Sequence, residues 1–92
     1  MRFAVTHHSG SGAPEDALEL LWARLDGRRF EDVSFSRSGT EITARTGEDG
    51  PISRERDERE ETGRLTVLEC VTSVCDRVPE LKSDWYAISL RR

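Results

Sequence analysis

The sequence has few cysteines, few aromatic residues and no long apolar run, and each shortage excludes a class of protein. Two cysteines, Cys70 and Cys75, are too few for the disulfide framework that stabilises small secreted domains. No uncharged apolar run approaches the roughly 20 residues that a membrane-spanning helix needs. The N-terminus turns polar after Val5, so it lacks the apolar stretch of about 7–15 residues of a secretory signal. We therefore expect a cytoplasmic protein with reduced thiols and no membrane partner.

The charge of the chain is acidic, and the acidity is local. The 92 residues, a length that fits a single domain over 1–92, include 14 Lys and Arg against 18 Asp and Glu, a net charge of -4. Residues 48–61 hold seven acidic residues and three arginines, which accounts for all of that net charge. We expect this segment to be a solvated loop or frayed helix start, since residues 54–62 contain no apolar side chain.

The spacing of apolar residues predicts six elements of secondary structure. Alternation predicts strands, and steps of three and four residues predict helices. Pro14 followed by two acidic residues indicates a helix start, and Gly27 indicates its end. The predicted strands cover 1–8, 29–37, 40–46 and 84–91; the predicted helices cover 14–26 and 64–78, with an acidic loop at 47–63.

The second helix competes with a strand interpretation. Its many β-branched residues lower helix propensity, and its first apolar residues also fit an alternating pattern. The longer pattern favours the helix, because Val67, Val71, Val74 and Val78 recur at steps of four, three and four before Pro79.

This order of elements predicts an α+β fold, a ferredoxin-like βαββαβ two-layer sandwich. Both helices bury their apolar stripes on one face of a four-stranded antiparallel sheet, and the label describes topology only. Right-handed crossovers place the first and last strands side by side. The expected core residues of the sheet are Phe3, Val5, Val33, Phe35, Ile42, Ala44, Tyr86, Ile88 and Leu90.

The other face of the sheet is the first candidate functional surface. It carries mostly small and polar residues, and such a face is either solvated or covered by a partner. Trp85 favours a covered face, because exposed Trp is enriched at interface hot spots, although a Trp leaning on a neighbouring loop is an equal alternative. The predicted interaction surface comprises Trp85, Thr6, His8, Thr43, Arg45 and Ala87.

A glycine-rich segment before the first helix is the second candidate site. Main-chain N–H groups at a helix N-terminus hold anions, and a neighbouring imidazole can transfer a proton. The segment matches no established phosphate-binding motif, so an ordinary flexible connection is the favoured interpretation. The candidate anion-binding residues are His7, His8, Ser9, Gly10, Ser11 and Gly12.

Metal and cofactor sites are not expected. Cys70 and Cys75 are five residues apart, which on a helix turns them about 140° from each other, whereas zinc ligands must converge on one centre. We interpret these cysteines as small core residues, and we expect no metal and no cofactor.

The favoured function is a non-catalytic protein-interaction or dimerisation module that uses the open sheet face. A homodimer or another protein is the expected partner. The module is predicted to be non-catalytic because no nucleophile, base and orienting group occur together at a recognisable spacing. The alternative is a small-molecule or anion binder, with or without enzymatic activity, at residues 7–12. Nucleic-acid binding is disfavoured, since the chain is acidic and the predicted third strand has no aromatic residue on which bases stack.

Overall fold

The computed structural model describes residues 1–47 and 56–91. Its elements are β1 (Arg2–His7), α1 (Ala17–Leu25), β2 (Val33–Ser38), β3 (Glu41–Thr46), α2 (Arg56–Arg77), a short 3₁₀ turn (Ser83–Trp85) and β4 (Tyr86–Arg91). The strands form one sheet in the order β2-β3-β1-β4, and every neighbouring pair is antiparallel. The predicted α+β ferredoxin-like arrangement is confirmed, including the pairing of the first strand with the last.

The core lies between the sheet and the two helices. Six of the nine expected sheet residues are buried there: Phe3, Val5, Val33, Ile42, Ala44 and Tyr86. Phe35, Ile88 and Leu90 pack against this core but stay partly exposed. All three belong to β2 or β4, the edge strands of the sheet, where a neighbouring strand is missing on one side.

The valine stripe of α2 confirms the helix interpretation of this segment. Val67, Val71 and Val74 are fully buried, Val78 is nearly so, and the helix ends at Arg77, two residues before Pro79. The low helix propensity of β-branched residues is a matter of tenths of a kcal/mol each. Burying a Val side chain contributes about 1.5 kcal/mol or more, so packing decides the structure.

The predicted acidic loop at 47–63 is wrong over residues 56–63, which form the first two turns of α2. Arg and Glu, which dominate these turns, are good helix formers. Arg64 also pairs with Glu61 at 2.8 Å, and the Thr66 hydroxyl donates to Thr62 O at 2.8 Å. Residues 48–55 of the predicted loop lie outside the described residues.

Gly63 explains how this polar stretch joins the core. The residue is buried inside the helix, and a Cβ atom placed there would lie 2.9 Å from Phe3 Cζ. A hydrogen in place of a side chain therefore lets the backbone of α2 rest on the ring of Phe3.

The predicted start of the first helix at Pro14 is wrong by three residues. Ala17 N–H donates to Pro14 O at 3.1 Å, which closes a turn, and Leu20 N–H donates to Asp16 O at 2.9 Å, the first α-helical spacing. Pro14 and the acidic residues after it therefore form a turn that precedes α1. The predicted end at residue 26 is one residue beyond the observed Leu25.

The predicted strand at 29–37 begins four residues later, at Val33. Before β2 the chain packs through side chains, since the Phe30 ring lies edge-on to Phe35 with centroids 5.3 Å apart and Arg28 lies over the Phe30 ring at 5.6 Å. The predicted strand at 84–91 begins at Tyr86, because Trp85 belongs to the 3₁₀ turn.

A hydrogen bond from Tyr86 links β4 to the start of α1. Its buried hydroxyl donates to Ala17 O at 2.7 Å. Burial raises the pKa of the Tyr86 phenol well above its ordinary value, with smaller contributions from Cys75 and Asp16. The folded state therefore favours the neutral phenol.

We expect Tyr86→Phe to lower the free energy of unfolding by about 1 kcal/mol at pH 7, because one buried hydrogen bond is lost. Above pH about 10 the phenol ionises in the unfolded state before it does so in the folded state, so this residue makes the wild type lose stability as pH rises. The variant lacks that contribution. Urea unfolding at pH 7 and 10.5 measures both effects; an identical pH dependence in the two proteins contradicts the assignment.

Candidate functional site: the open sheet face

The open face is the side of the sheet opposite the helices. Its composition follows from the strand registers, because residues directly paired across antiparallel strands point to the same side. The face comprises Arg2, Ala4, Thr6, Ser34, Ser36, Ser38, Glu41, Thr43, Arg45, Ala87, Ser89 and Arg91. It is polar and built mainly of small side chains.

Three arginines form a row across this face. Arg2 of β1 pairs in register with Arg45 of β3 on one side and with Arg91 of β4 on the other. Residues directly opposite each other have Cβ atoms about 4.5–5.5 Å apart, and like charges at that spacing are destabilising. We call these residues the arginine row; it concentrates positive charge on one end of the open face of an acidic protein.

One member of the row has a carboxylate partner among residues 1–47 and 59–91. Arg91 Nη2 lies 2.5 Å from Glu41 Oε1, and Arg2 and Arg45 form no ion pair with the side chains of those residues. Because β1 lies between the strands of Arg91 and Glu41, this pair crosses the face above β1. Ala4 lies beneath, and it is only 1% exposed although it points away from the core.

The structure distributes the predicted interaction surface over both ends of the open face. Thr6 pairs in register with Ala87, and His8, which directly follows β1, donates its N–H to Trp85 O at 2.8 Å. These four residues lie together at one end. Thr43 lies in the middle of the face, and Arg45 lies at the opposite end, within the arginine row.

The Trp85 side chain is less available to a partner than expected for a strand residue on the open face. It is half-buried, packs against the buried cluster and makes an edge-on contact with the ring of Tyr86, with centroids 6.4 Å apart. Its burial comes from its place in the 3₁₀ turn, where it does not project freely from a strand. The end of the face around Trp85 therefore offers little free apolar area.

Sequence reasoning missed Arg2 and Arg91 as members of this surface. Each is at the outermost residue of its strand, while Arg45 is next to the last residue of β3. In an antiparallel sheet the start of one strand meets the ends of its neighbours. The order β4-β1-β3, taken from the predicted topology, was the signal that would have brought these charges together.

The loop at residues 7–12 is closed by its own hydrogen bonds. The N–H and the hydroxyl of Ser11 both donate to His8 O, at 3.2 and 2.7 Å, and Ala13 N–H donates to Ser11 Oγ at 3.3 Å. Helix α1 begins only at Ala17, so Gly12 is not at its N-terminus. The exposed acids Glu15 and Asp16 precede the helix there and disfavour an anion.

The same geometry separates the two histidines. His7 pairs with Tyr86 and shares the alternation of the core-facing residues, whereas His8 follows the alternation of the open face. Both are exposed. The anion site at His7, His8, Ser9, Gly10, Ser11 and Gly12 stays a prediction. The observed positions of these residues do not support it.

The cysteines occupy positions in or beside the core. Cys75 is buried within the core cluster, and Cys70 packs partly buried against it. Burial raises the pKa of both thiols; Glu69 and then Asp32 raise that of Cys70 further, and Asp76 does so for Cys75. A thiol held protonated is a weak nucleophile and a weak metal ligand.

The described residues contain no cluster of His, Cys, Asp or Glu that suits a metal ion. The side-chain hydroxyls of Ser11, Thr46 and Thr66 donate to backbone carbonyls and not to a base. In the part of the chain the structure covers, no helix is both long enough and apolar enough to cross a bilayer.

Comparison with protein-family models, with curated proteins and with solved structures finds no match for this chain. The chemistry of its own surfaces is therefore the basis for a functional proposal.

Proposed function

We propose that this protein is a non-catalytic association module whose open sheet face binds a carboxylate-rich segment of a partner protein. The observation that carries the proposal is the arginine row. Three cations face one another across adjacent strands, and Arg2 and Arg45 have no ion-pair partner among residues 1–47 and 59–91. An acidic partner would relieve that repulsion.

The surroundings of the row suit an extended acidic segment. The central row of the open face holds the small residues Ala4, Thr43 and Ser89 in direct register, and the Arg91–Glu41 pair crosses this row above Ala4. An acidic segment would therefore bind at the end of the face where Arg2 and Arg45 lie. Arginine binds carboxylates through two parallel hydrogen bonds, which gives direction as well as attraction. Charge complementarity of this kind accelerates association and selects partners.

A cytoplasmic location is part of the same proposal. The thiols of Cys70 and Cys75 are free, as expected in a reducing compartment. Their raised pKa values and their place in or against the core support a structural role and not a catalytic one.

The test is the affinity for a synthetic peptide of ten glutamates at about 0.1 M ionic strength, where the Debye length is about 10 Å. We expect the double variant Arg2→Glu with Arg45→Glu to weaken binding at least about tenfold, since two attractive charges become repulsive. Arg24→Glu with Arg77→Glu is the matched control, because it makes the same change of charge at two exposed arginines on α1 and α2, outside the open face. It should change the affinity less than about twofold, because salt screens charges that lie more than a Debye length apart.

The single variant Arg45→Glu separates a binding role from a structural one. It places opposite charges in direct cross-strand register, so the free energy of unfolding should rise by about 0.2–1 kcal/mol while peptide affinity falls. If the variant lost both stability and peptide binding, the arginines would be shown to stabilise the fold and not to bind the peptide. Equal weakening by Arg24→Glu with Arg77→Glu, or tighter binding of a twelve-nucleotide single-stranded DNA than of the peptide, would contradict the proposal.

A further inference from the structure

The outer edge of β4 carries main-chain groups that the sheet does not use. His8 N–H donates to Trp85 O at 2.8 Å, so the carbonyl of Trp85 points toward β1. Main-chain groups alternate in direction along a strand, so those of Ile88 and Leu90 point away from β1. The N–H of Tyr86 also points away, and it is satisfied by a hydrogen bond within the 3₁₀ turn.

The two edges of the sheet differ in their protection. On β2, Arg37 lies on the helix side of the sheet, opposite Ile42, where it pairs with Glu19 and donates to Gly39 O at 2.9 Å. Charged residues that point inward at an edge discourage further strand pairing. From Tyr86 to Leu90, β4 contains no charged residue, no proline and no glycine.

A groove of about 730 Å³ runs beside the unprotected edge. Leu68, Arg64 and Thr72 line it on the side of α2, and Tyr86, Ala87 and Ile88 line it on the side of β4. Its remaining lining is polar and includes Asp84. Leu65, one helical turn from Leu68, is 44% exposed. A strand added to β4 would direct every second side chain into this groove.

We propose that β4 pairs antiparallel with β4 of a second copy, about a two-fold axis at Ile88. In that register Ile88 exchanges both main-chain hydrogen bonds with the partner's Ile88, and Leu90 N–H donates to the C=O of the partner's Tyr86. The two sheets become one continuous sheet. This surface is the strand edge and not the open face, so the inference does not rest on the proposed function.

The sequence of β4 favours its own copy over an unrelated strand. Pairing about Ile88 places the apolar Leu90 against the apolar ring of Tyr86 on the helix side. Arg91 is the one charged residue of β4. In the two-fold arrangement the two Arg91 residues lie about 20 Å apart at opposite ends of the pair, so no like charges meet.

The experiment is sedimentation equilibrium of the full chain from about 10 µM to 1 mM. We expect a concentration-dependent dimer, and we expect Ile88→Lys to raise its dissociation constant at least about tenfold by placing an unpaired charge in the groove. The control Ser89→Lys adds the same charge on the same strand but on the open face. It should leave the dimer unchanged.

Hydrogen exchange of the wild type tests the interface without any substitution. The Ile88 and Leu90 amides should gain protection as the concentration rises, while the Tyr86 amide keeps the protection given by its bond in the 3₁₀ turn. A protein that stays monomeric at 1 mM overturns the inference. Protection of these amides by some other strand-forming peptide would not rescue it, because the proposed partner is a second copy of the chain. A dimer that survives Ile88→Lys, or that leaves both amides unprotected, also overturns it. Arg45→Glu should leave the dimer intact, so the two proposals fail independently.

Discussion

Leu21→Ala should lower the free energy of unfolding by about 2–5 kcal/mol. Leu21 is 0% exposed and lies on the face of α1 that packs on the core. Truncation removes buried apolar area and leaves a cavity that the surrounding side chains fill only in part. Small domains unfold with a total of about 5–15 kcal/mol, so much of the stability would be lost.

The adjacent residue provides the matched control. Leu20 is the same side chain in the same helix, but it is 38% exposed. We expect Leu20→Ala to change the free energy of unfolding by less than about 1 kcal/mol. Urea denaturation of both variants measures the difference, and similar losses at the two positions would mean that α1 is rotated from the orientation described here.

Gly63→Leu should lower the free energy of unfolding by about 2–3 kcal/mol. Leucine is a much better helix former than glycine, which by itself would stabilise α2 by up to roughly 1 kcal/mol. The Phe3 ring reverses that sign, because its Cζ and Cε2 atoms would lie 2.9 and 3.0 Å from the new Cβ. Phe3 is 1% exposed and has little room to move aside.

Two comparisons isolate the contact with Phe3. Thr62→Leu changes the preceding residue, which is exposed, and should be neutral or slightly stabilising. In a Phe3→Ala background the ring is gone, so Gly63→Leu should lose most of its effect, a coupling of about 1–3 kcal/mol. An equal loss with and without the ring would contradict the close approach of α2 to Phe3.

The architecture was predictable because hydrophobic periodicity reflects burial directly. The valine stripe of α2 identified a helix against the local preference of its residues, and the alternation of the four strands fixed which side chains face the core. The first and last residues of the helices and strands were harder to predict. They depend on single hydrogen bonds, such as the turn closed by Ala17 N–H on Pro14 O, which periodicity does not encode.

Gly63 shows a signal that was present in the sequence and missed. It lies four residues before Val67, so it continues the stripe of Val67, Val71, Val74 and Val78 by one more helical step. A glycine at a buried position of a helix indicates close approach of another group. The predicted helix began at residue 64, directly after this glycine, and was therefore too short.

The arginine row shows the opposite case, a feature that local sequence does not contain. Arg2, Arg45 and Arg91 are far apart in the chain, and each alone is an ordinary charged residue at the end of a strand. Only the registers of β1 with β3 and of β1 with β4 place them side by side. A shift of either register by one residue would send one of these arginines to the core face.

The most direct test of the open face as an association surface is a nuclear magnetic resonance titration of the isotope-labelled protein with the ten-glutamate peptide at low salt. We expect saturable shifts of the backbone amides around Arg2, Arg45 and Arg91, with the amides around Arg24 on α1 unmoved, and loss of these shifts in high salt. Shifts confined to the helices, or none at the arginine row, would contradict the account.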